Sequence, residues 1–594
     1  MSSALLSEWS RLLLGSLARA GVRDVVLSPG SRSTPFTWAA LNEPSFRCHS
    51  LVDERVAAFF ALGQARVTGR PSLLVCTSGT AAANYFPAVV EASLARLPLL
   101  VLTADRPFEL QHSAAPQAID QIKLFGDSVR AFFELGAPDA APSALQGVLR
   151  SVAHALHATR FPEPGPVHLN ARARKPLEPV QPTDAESVAL RASVDQLLAR
   201  GPASAAGATL RGDVTRLARA CAETPRGLLM VGPHLPTEVP LALVRLAEIT
   251  GFPLLCEATS QLRWLAQAAP RACLIDGFDW LLRSERLREQ LRPDLIVSFG
   301  GTPTSGAYER LLSGGFAGQR FVVSPYGFPD PHGLASELVS SDSEQAATRT
   351  VALLERAELQ KASERTEFAR AWSSANQLAW RVVERELARP SAVLNEPRAV
   401  RSVLEQLPEP SLLVLGNSLP IREVDAYVPS GTRRVRVLSQ RGANGIDGLI
   451  SGAAGAASSS DEPTLLLLGD VSFSHDLGGL AAARASRGPF AIVVIDNGGG
   501  RIFEQLPIFS QFREHAEAER FWLTPQGLDL AAAAQLFGYR YARVTEASEI
   551  AGALQQATAQ RGVSIVHLIV EGSSARETEQ RVRAELERAR EITA

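Results

Sequence analysis

Two apolar runs in this chain end in polar residues that could do chemistry. Residues 464–470 read TLLLLGD and residues 491–500 read AIVVIDNGGG. Such runs, closed by glycine, predict fully buried parallel strands, although a short buried helix has the same apolar pattern. Asp470 and Asn497 stand 27 residues apart, room for one strand–helix–strand crossover that would bring both to the same sheet edge. That edge is where open α/β sheets bind ligands. A carboxylate oxygen, an amide oxygen and a glycine carbonyl are hard donors of the kind Mg²⁺ or Ca²⁺ takes, with phosphate oxygens and water completing the shell. The glycines would let a diphosphate approach the backbone closely. Taken alone, Asp470 could equally cap the helix that follows.

A second carboxylate lies far upstream. LVDERVAAFFALGQAR (51–66) puts Glu54 at the head of an Ala-rich helical pattern, where its plain use would be an ion pair with Arg55 or Arg66. Several arginines fall in turns after apolar runs, as in SPGSRSTP (28–35), TADRP (103–107), GNSLPIRE (416–423) and RGANGIDG (441–448). Any one of them alone reads as a surface ion pair.

The elements that must position these groups are of one kind. Short β-rich runs alternate with helical patterns along most of the 594 residues, the signature of parallel α/β units. Three domains account for the length: 1–185, 205–360 and 390–594. A Pro, Ala and Gly-rich stretch over 176–208 suits a linker, 344–390 reads as one or two charged helices, and the final helix from about 575 reads as a solvated or subunit-facing surface. There is no tandem repeat, and the three blocks share only general α/β character. None carries G-x-G-x-x-G before a helix, so a dinucleotide site is weakly supported.

Composition narrows the class. Lys plus Arg (60) nearly balances Asp plus Glu (62), so no global field would gather nucleic acid or an anionic membrane. The five cysteines lack C-x-x-C spacing, which argues for buried free thiols rather than zinc or disulfides. No uninterrupted apolar stretch approaches a membrane span, and the N-terminus lacks a signal-peptide pattern. The expectation is a cytoplasmic protein without membrane insertion.

The pairing of G-D with N-x-G, together with Glu54, resembles the cofactor motifs of thiamine diphosphate enzymes. Within that superfamily the chain is similar to the 2-succinyl-5-enolpyruvyl-6-hydroxy-3-cyclohexene-1-carboxylate synthase (MenD) family of menaquinone biosynthesis. The stretches that carry the likeness are SPGSRSTP, TSGTAAANYFPAVVEA (77–92), TADRP, QAIDQ (117–121), GNSLPIRE, RGANGIDG and GGRIFEQLP (499–507). The resemblance implies an α/β fold of three parallel sheets flanked by helices: a pyrimidine-binding domain, a central Rossmann-like domain and a diphosphate-binding domain. It implies a transferase that decarboxylates 2-oxoglutarate and adds the succinyl carbanion to isochorismate.

The residue roles follow by matching position. Glu54 would hydrogen-bond the aminopyrimidine ring of thiamine diphosphate. Asp470, Asn497 and the Gly499 carbonyl would hold Mg²⁺, or Mn²⁺ in its place, with Gly469 and Ser472 beside the diphosphate and Ile446 wedged between the cofactor rings. Ser31, Arg32, Arg106 and Gln117 would hold isochorismate, and Ser418, Arg422 and Arg441 the part derived from 2-oxoglutarate. Ile502 and Phe503 would form an apolar wall beside the thiazolium. Arginine suits both substrates, because its fork binds carboxylates bidentately and stays charged. Family sites are shared between subunits, so a homodimer or homotetramer is expected.

Two departures stand out. Gly498 replaces an amide in the family's N-N-G-G, and Pro303-Thr304-Ser305-Gly306 lacks the lysine of P-x-S-K. His475 matches no family role and reads as structural. The competing expectations are another thiamine diphosphate-dependent 2-oxo acid decarboxylase, an acetolactate synthase-like enzyme, and a non-catalytic diphosphate-binding protein.

Overall fold

The apolar runs do form strands, and every strand pairing is parallel. The computed structural model describes residues 4–204, 212–268, 272–357, 359–391, 393–431, 433–512 and 514–589. The first sheet comprises β1 (Asp24–Leu27), β2 (Arg47–Ser50), β3 (Ser72–Cys76), β4 (Leu99–Asp105), β5 (Ala131–Glu134) and β6 (Pro166–Arg172), in the order β2-β1-β3-β4-β6-β5. The second comprises β7 (Gly227–Val231), β8 (Leu254–Cys256), β9 (Leu274–Ile275), β10 (Leu295–Phe299), β11 (Gln319–Val323) and β12 (Glu337–Val339), in the order β12-β11-β10-β7-β8-β9. The third comprises β13 (Ser411–Leu415), β14 (Val435–Ser439), β15 (Thr464–Gly469), β16 (Pro489–Asp496), β17 (Arg540–Val544) and β18 (Gly562–Ile569), in the order β14-β13-β15-β16-β18-β17. The first and third sheets thus have the same topology, which goes beyond the general α/β likeness that the sequence showed.

Helices cover the sheet faces, and the helix of Glu54–Thr68 joins the first unit to the third. It crosses the helix of Leu449–Ser458 in backbone contact. A Cβ built at Gly63 would lie 1.9 Å from the Gly452 carbonyl oxygen, and one at Gly455 would lie 1.9 Å from that of Phe60. Side chains at these positions would force the helices apart, so the glycines set the approach. The apolar core of the two units is continuous across this crossing, from Val56, Phe59 and Phe60 to Leu449, Ala453 and Ala457.

Two segments differ from expectation. Part of the presumed linker is the helix of Ala185–Arg200, whose Leu190, Val194 and Leu198 join the core of the first unit; residues 205–208 of that stretch lie outside the described residues. The C-terminal helix of Ser574–Arg588 is not wholly solvated, because Val582 and Leu586 are buried in the second unit's core beside the helix of Ala362–Leu387. Its Arg and Glu residues occupy the other faces. All five cysteines are free, and Cys76, Cys221 and Cys256 are buried. No helix among the described residues is long and apolar enough to cross a membrane.

Candidate active site

The third sheet delivers the two polar strand ends to one place. β15 and β16 pair with Gly469 beside Ile495, so Asp470 and Asn497 emerge at the same edge. Asp470 opens the short helix of Asp470–His475, and the backbone N–H groups of Val471 and Gly499 favour its charged form. Burial, and then the charge of Asp496, push its carboxyl up to about 6. A carboxylate in that position gains strongly from a cation.

Asn497 supplies the sharpest test of fit. Its Nδ2 donates to both carboxylate oxygens of Glu396, at 3.1 and 3.0 Å, which fixes the amide's orientation. Its Oδ1 is buried and has no hydrogen-bond partner. Buried amide oxygens are rarely left unpaired, and this one stands beside a desolvated carboxylate. Gly499 adopts φ +122°, and a Cβ there would lie 2.2 Å from the Leu523 carbonyl oxygen, so the turn requires glycine. One carboxylate, one amide oxygen and a backbone turn suit a hard divalent cation carrying its own phosphate ligands. The donor set has too few acidic side chains to form a self-sufficient metal cage, and among the described residues no cluster of three or more His, Cys, Asp or Glu side chains could form one. Ser472 is buried in the same helix, and Gly469 precedes it in extended backbone. His475 is exposed at that helix's far end.

The first unit presents a half-buried Glu54 at the start of its helix, after the N-cap Asp53. Neither competing ion pair forms: Arg55 binds Asp53 at 2.7 Å, and Arg66 binds Glu91 at 2.9 Å. Ser31 is exposed on the turn after β1, and Gln117 is exposed with φ +55°. Arg32 is buried and gives one N–H to the Ala173 carbonyl. Its pKa is lowered by burial and then by the charge of Arg106. Arg106 is half-buried, and its Nε has no partner. Two guanidiniums that feel each other's charge favour an anion between or beside them.

A second arginine pair lies in the third unit. Arg422 and Arg441 are half-buried, and Arg422 is lowered by burial and then by Arg441. Arg422 donates to the Ser418 carbonyl at 2.7 Å, and Ser418 itself adopts φ +74°. Arg441 donates to Asn417 Oδ1 at 3.2 Å. It also lines a cavity of about 1240 Å³ between the units, with Arg66 and Arg96 of the first and His234 of the second. Ile446 is half-buried just before Gly448. At that glycine φ is +67°, and a Cβ would strike the Phe59 ring. Ile502 is half-buried and Phe503 is 40% exposed on one turn after β16.

The second unit approaches Arg422 through Asp279. That carboxylate accepts from Ser305 Oγ at 2.6 Å, and its charge favours protonated Arg422. Gly306 follows directly, and no atom lies within 4 Å of a Cβ built there, so the missing lysine is not excluded by packing. Sequence reasoning missed Glu396 and Asn417. Asn395 caps the helix of Glu396–Glu405, with Pro397 in its first turn. The contact with Asn497 spans 101 residues and has no local signature.

With this geometry established, comparison with known proteins is direct. Residues 8–124 match the thiamine pyrophosphate enzyme N-terminal TPP binding domain, and residues 431–568 match the thiamine pyrophosphate enzyme C-terminal TPP binding domain. A solved structure of benzoylformate decarboxylase from Polynucleobacter necessarius shares the fold, with a TM-score of 0.69 at 16% identity over 95% of this chain and 98% of that one. The chain is 44% identical to 2-succinyl-5-enolpyruvyl-6-hydroxy-3-cyclohexene-1-carboxylate synthase of Sorangium cellulosum, over 96% of this chain and 93% of that relative. The synthases of Oceanobacillus iheyensis (36%, over 95% and 94%) and Myxococcus xanthus (37%, over 90% of each) match at similar length. The chain belongs to the 2-succinyl-5-enolpyruvyl-6-hydroxy-3-cyclohexene-1-carboxylate synthase family.

Proposed function

We propose that the protein is a thiamine diphosphate- and Mg²⁺-dependent synthase that condenses 2-oxoglutarate with isochorismate, releasing CO₂, in menaquinone biosynthesis. The observation that carries the substrate assignment is the presence of two separate guanidinium pairs, Arg32 with Arg106 and Arg422 with Arg441. Both substrates bring carboxylates, and paired arginines bind them while discriminating against neutral analogues. The names of the relatives support the same reading.

Asp470, Asn497 and the Gly499 carbonyl would hold the metal, with Gly469 and Ser472 at the diphosphate, and Mn²⁺ could replace Mg²⁺. Thiamine diphosphate supplies a carbon nucleophile for the 2-oxo group and an electron sink for loss of CO₂. Glu54 would hold a proton at the ring nitrogen N1′. Ser418, Arg422 and Arg441 anchor the distal carboxylate of 2-oxoglutarate, while Ser31, Arg32, Arg106 and Gln117 orient isochorismate for carbon–carbon bond formation. Ile446, Ile502 and Phe503 keep the reacting region apolar, which excludes water.

The site is completed by a second copy of the chain, in a homodimer or a tetramer built from it. Supporting this, Val52 beside Glu54 is 79% exposed, and Phe503, Leu506 and Ile508 form an exposed apolar lip near Asn497. The domain limits 1–185, 205–360 and 390–594 and a cytoplasmic location belong to the same reading.

The test is to incubate the purified protein with thiamine diphosphate, Mg²⁺ and 2-oxoglutarate and follow the ultraviolet absorbance of isochorismate. Loss that requires 2-oxoglutarate, and that falls at least about a hundredfold in Glu54→Gln, is expected. Absence of loss, in protein shown by calorimetry to bind the cofactor, would overturn the assignment.

A further inference from the structure

The segment that carries Arg441 and Ile446 is gripped from two units. Asn417 grips it within the third unit: its Nδ2 donates to the carbonyls of Gln440 and Gly445 at 2.8 and 2.7 Å, and its Oδ1 accepts from Arg441. From the first unit comes Glu91, on the helix of Phe86–Leu94, with 3% of its surface exposed. One oxygen of Glu91 accepts from the Gly442 N–H at 3.1 Å and the other from the Ala443 N–H at 2.6 Å. The same carboxylate pairs with Arg66, itself buried. Neutralising Arg66 would need only that last contact. The other two reach across 351 and 352 residues to the amides immediately after Arg441.

The fit is close. A Cβ at Gly442 would lie 2.7 Å from the Glu91 carbonyl oxygen and 2.8 Å from the Ala95 nitrogen, so the segment rests directly on the end of that helix. Hydrogen bonds from backbone N–H to a buried carboxylate are among the stronger ones, and they fix the backbone rather than a mobile side chain.

We propose that Glu91 is a positioning residue, which clamps the 441–446 segment from the first unit and thereby sets Arg441 and Ile446. The functional half of this inference rests on the reading given above, in which those two residues face substrate and cofactor. The clamp itself does not.

Hydrogen–deuterium exchange of the full-length protein, read on peptides covering 440–446, separates the two. In Glu91→Gln, which keeps side-chain volume, the amides of Gly442 and Ala443 should exchange at least about tenfold faster than in wild type, with β13 and β15 unchanged. The KM for 2-oxoglutarate should rise about tenfold, while that for isochorismate moves less than about threefold. Gly442→Ala provides an independent arm, because it keeps both Arg66 and Glu91 and pushes the segment off the helix and the Glu91 carboxylate. It should give the same split if Glu91→Gln fails to fold. Unchanged exchange in Glu91→Gln, an equal rise in both KM values, or unchanged KM values in Gly442→Ala would overturn the proposal. An inactive wild-type enzyme would remove the proposed function, and the exchange measurement would still decide the clamp.

Discussion

The first and third units share one strand order, and each places a buried carboxylate at the carboxyl edge of its sheet, with opposite partners. At the end of β4 the buried carboxylate of Asp105 is matched by protein: Arg172 lies at 3.1 Å and Asn170 Nδ2 at 3.0 Å. At the end of β15 the buried carboxylate of Asp470 has only backbone N–H groups, and none of the ion pairs among the described residues involves it. The difference teaches what decides an edge's chemistry. Where the fold supplies its own cation, as Arg172 does for Asp105, the edge's carboxylate is already neutralised. Where it does not, as at Asp470, the carboxylate gains from a cation brought in from solution.

Breaking the third unit's edge should give the largest effect. Asp470→Ala is expected to weaken thiamine diphosphate binding in Mg²⁺ by about three orders of magnitude in calorimetric titration, with the fold retained. The matching change in the first unit, Arg172→Leu, should leave metal affinity alone but cost about 3–5 kcal/mol in urea unfolding, because Asp105 and Glu134 lose their buried cation.

A pH series sharpens the same contrast. Burial, partly offset by the Ser451 N–H and Oγ, lifts Asp476 of the third unit to about 6. Between pH ~4 and ~6 the folded protein keeps this proton while the unfolded chain has released it, so the contribution to stability falls as pH rises through that window and is constant above it. Wild-type stability relative to Asp476→Asn should therefore drop by about 3 kcal/mol from pH 4 to pH 7, read from urea unfolding at each pH.

Smaller effects separate the two arginine pairs. Arg32→Ala should raise the KM for isochorismate about 10–100-fold with little change for 2-oxoglutarate, and Arg422→Ala should do the reverse. Equal effects on both substrates would erase the distinction between the units. The least change is expected from Gly306→Lys, which restores the family's lysine in open space. It should lower the KM for isochorismate about two- to fivefold.

The strands that lead to Asp470 and Asn497 were legible because β15 and β16 are apolar and almost wholly buried, and the polar residue that follows each is conspicuous. Two of the edge strands were not. β2 reads RCHS and β17 reads RYARV, and both are largely exposed or half-buried, so neither shows an apolar run. β6 is buried throughout yet carries His168, Asn170 and Arg172, whose polarity hides it from apolar patterning. These side chains are buried because Thr103, Asp105 and Glu134 satisfy them, a fact that exists only in three dimensions. The motif residues of the site were legible one by one. Their holders, Glu396, Asn417 and Glu91, were not, since each acts on a segment at least 23 residues distant.

The glycine crossing between the helices of Glu54–Thr68 and Leu449–Ser458 bears on how such a protein can be assembled from parts. Backbone-to-backbone contact at Gly63, Gly452 and Gly455 fixes the first unit against the third without reference to the chain that runs between them. The peptide connection through the second unit is then a tether rather than a ruler. The outer modules therefore carry their own register, because two missing methyl groups, at Gly63 and Gly455, define where their helices touch.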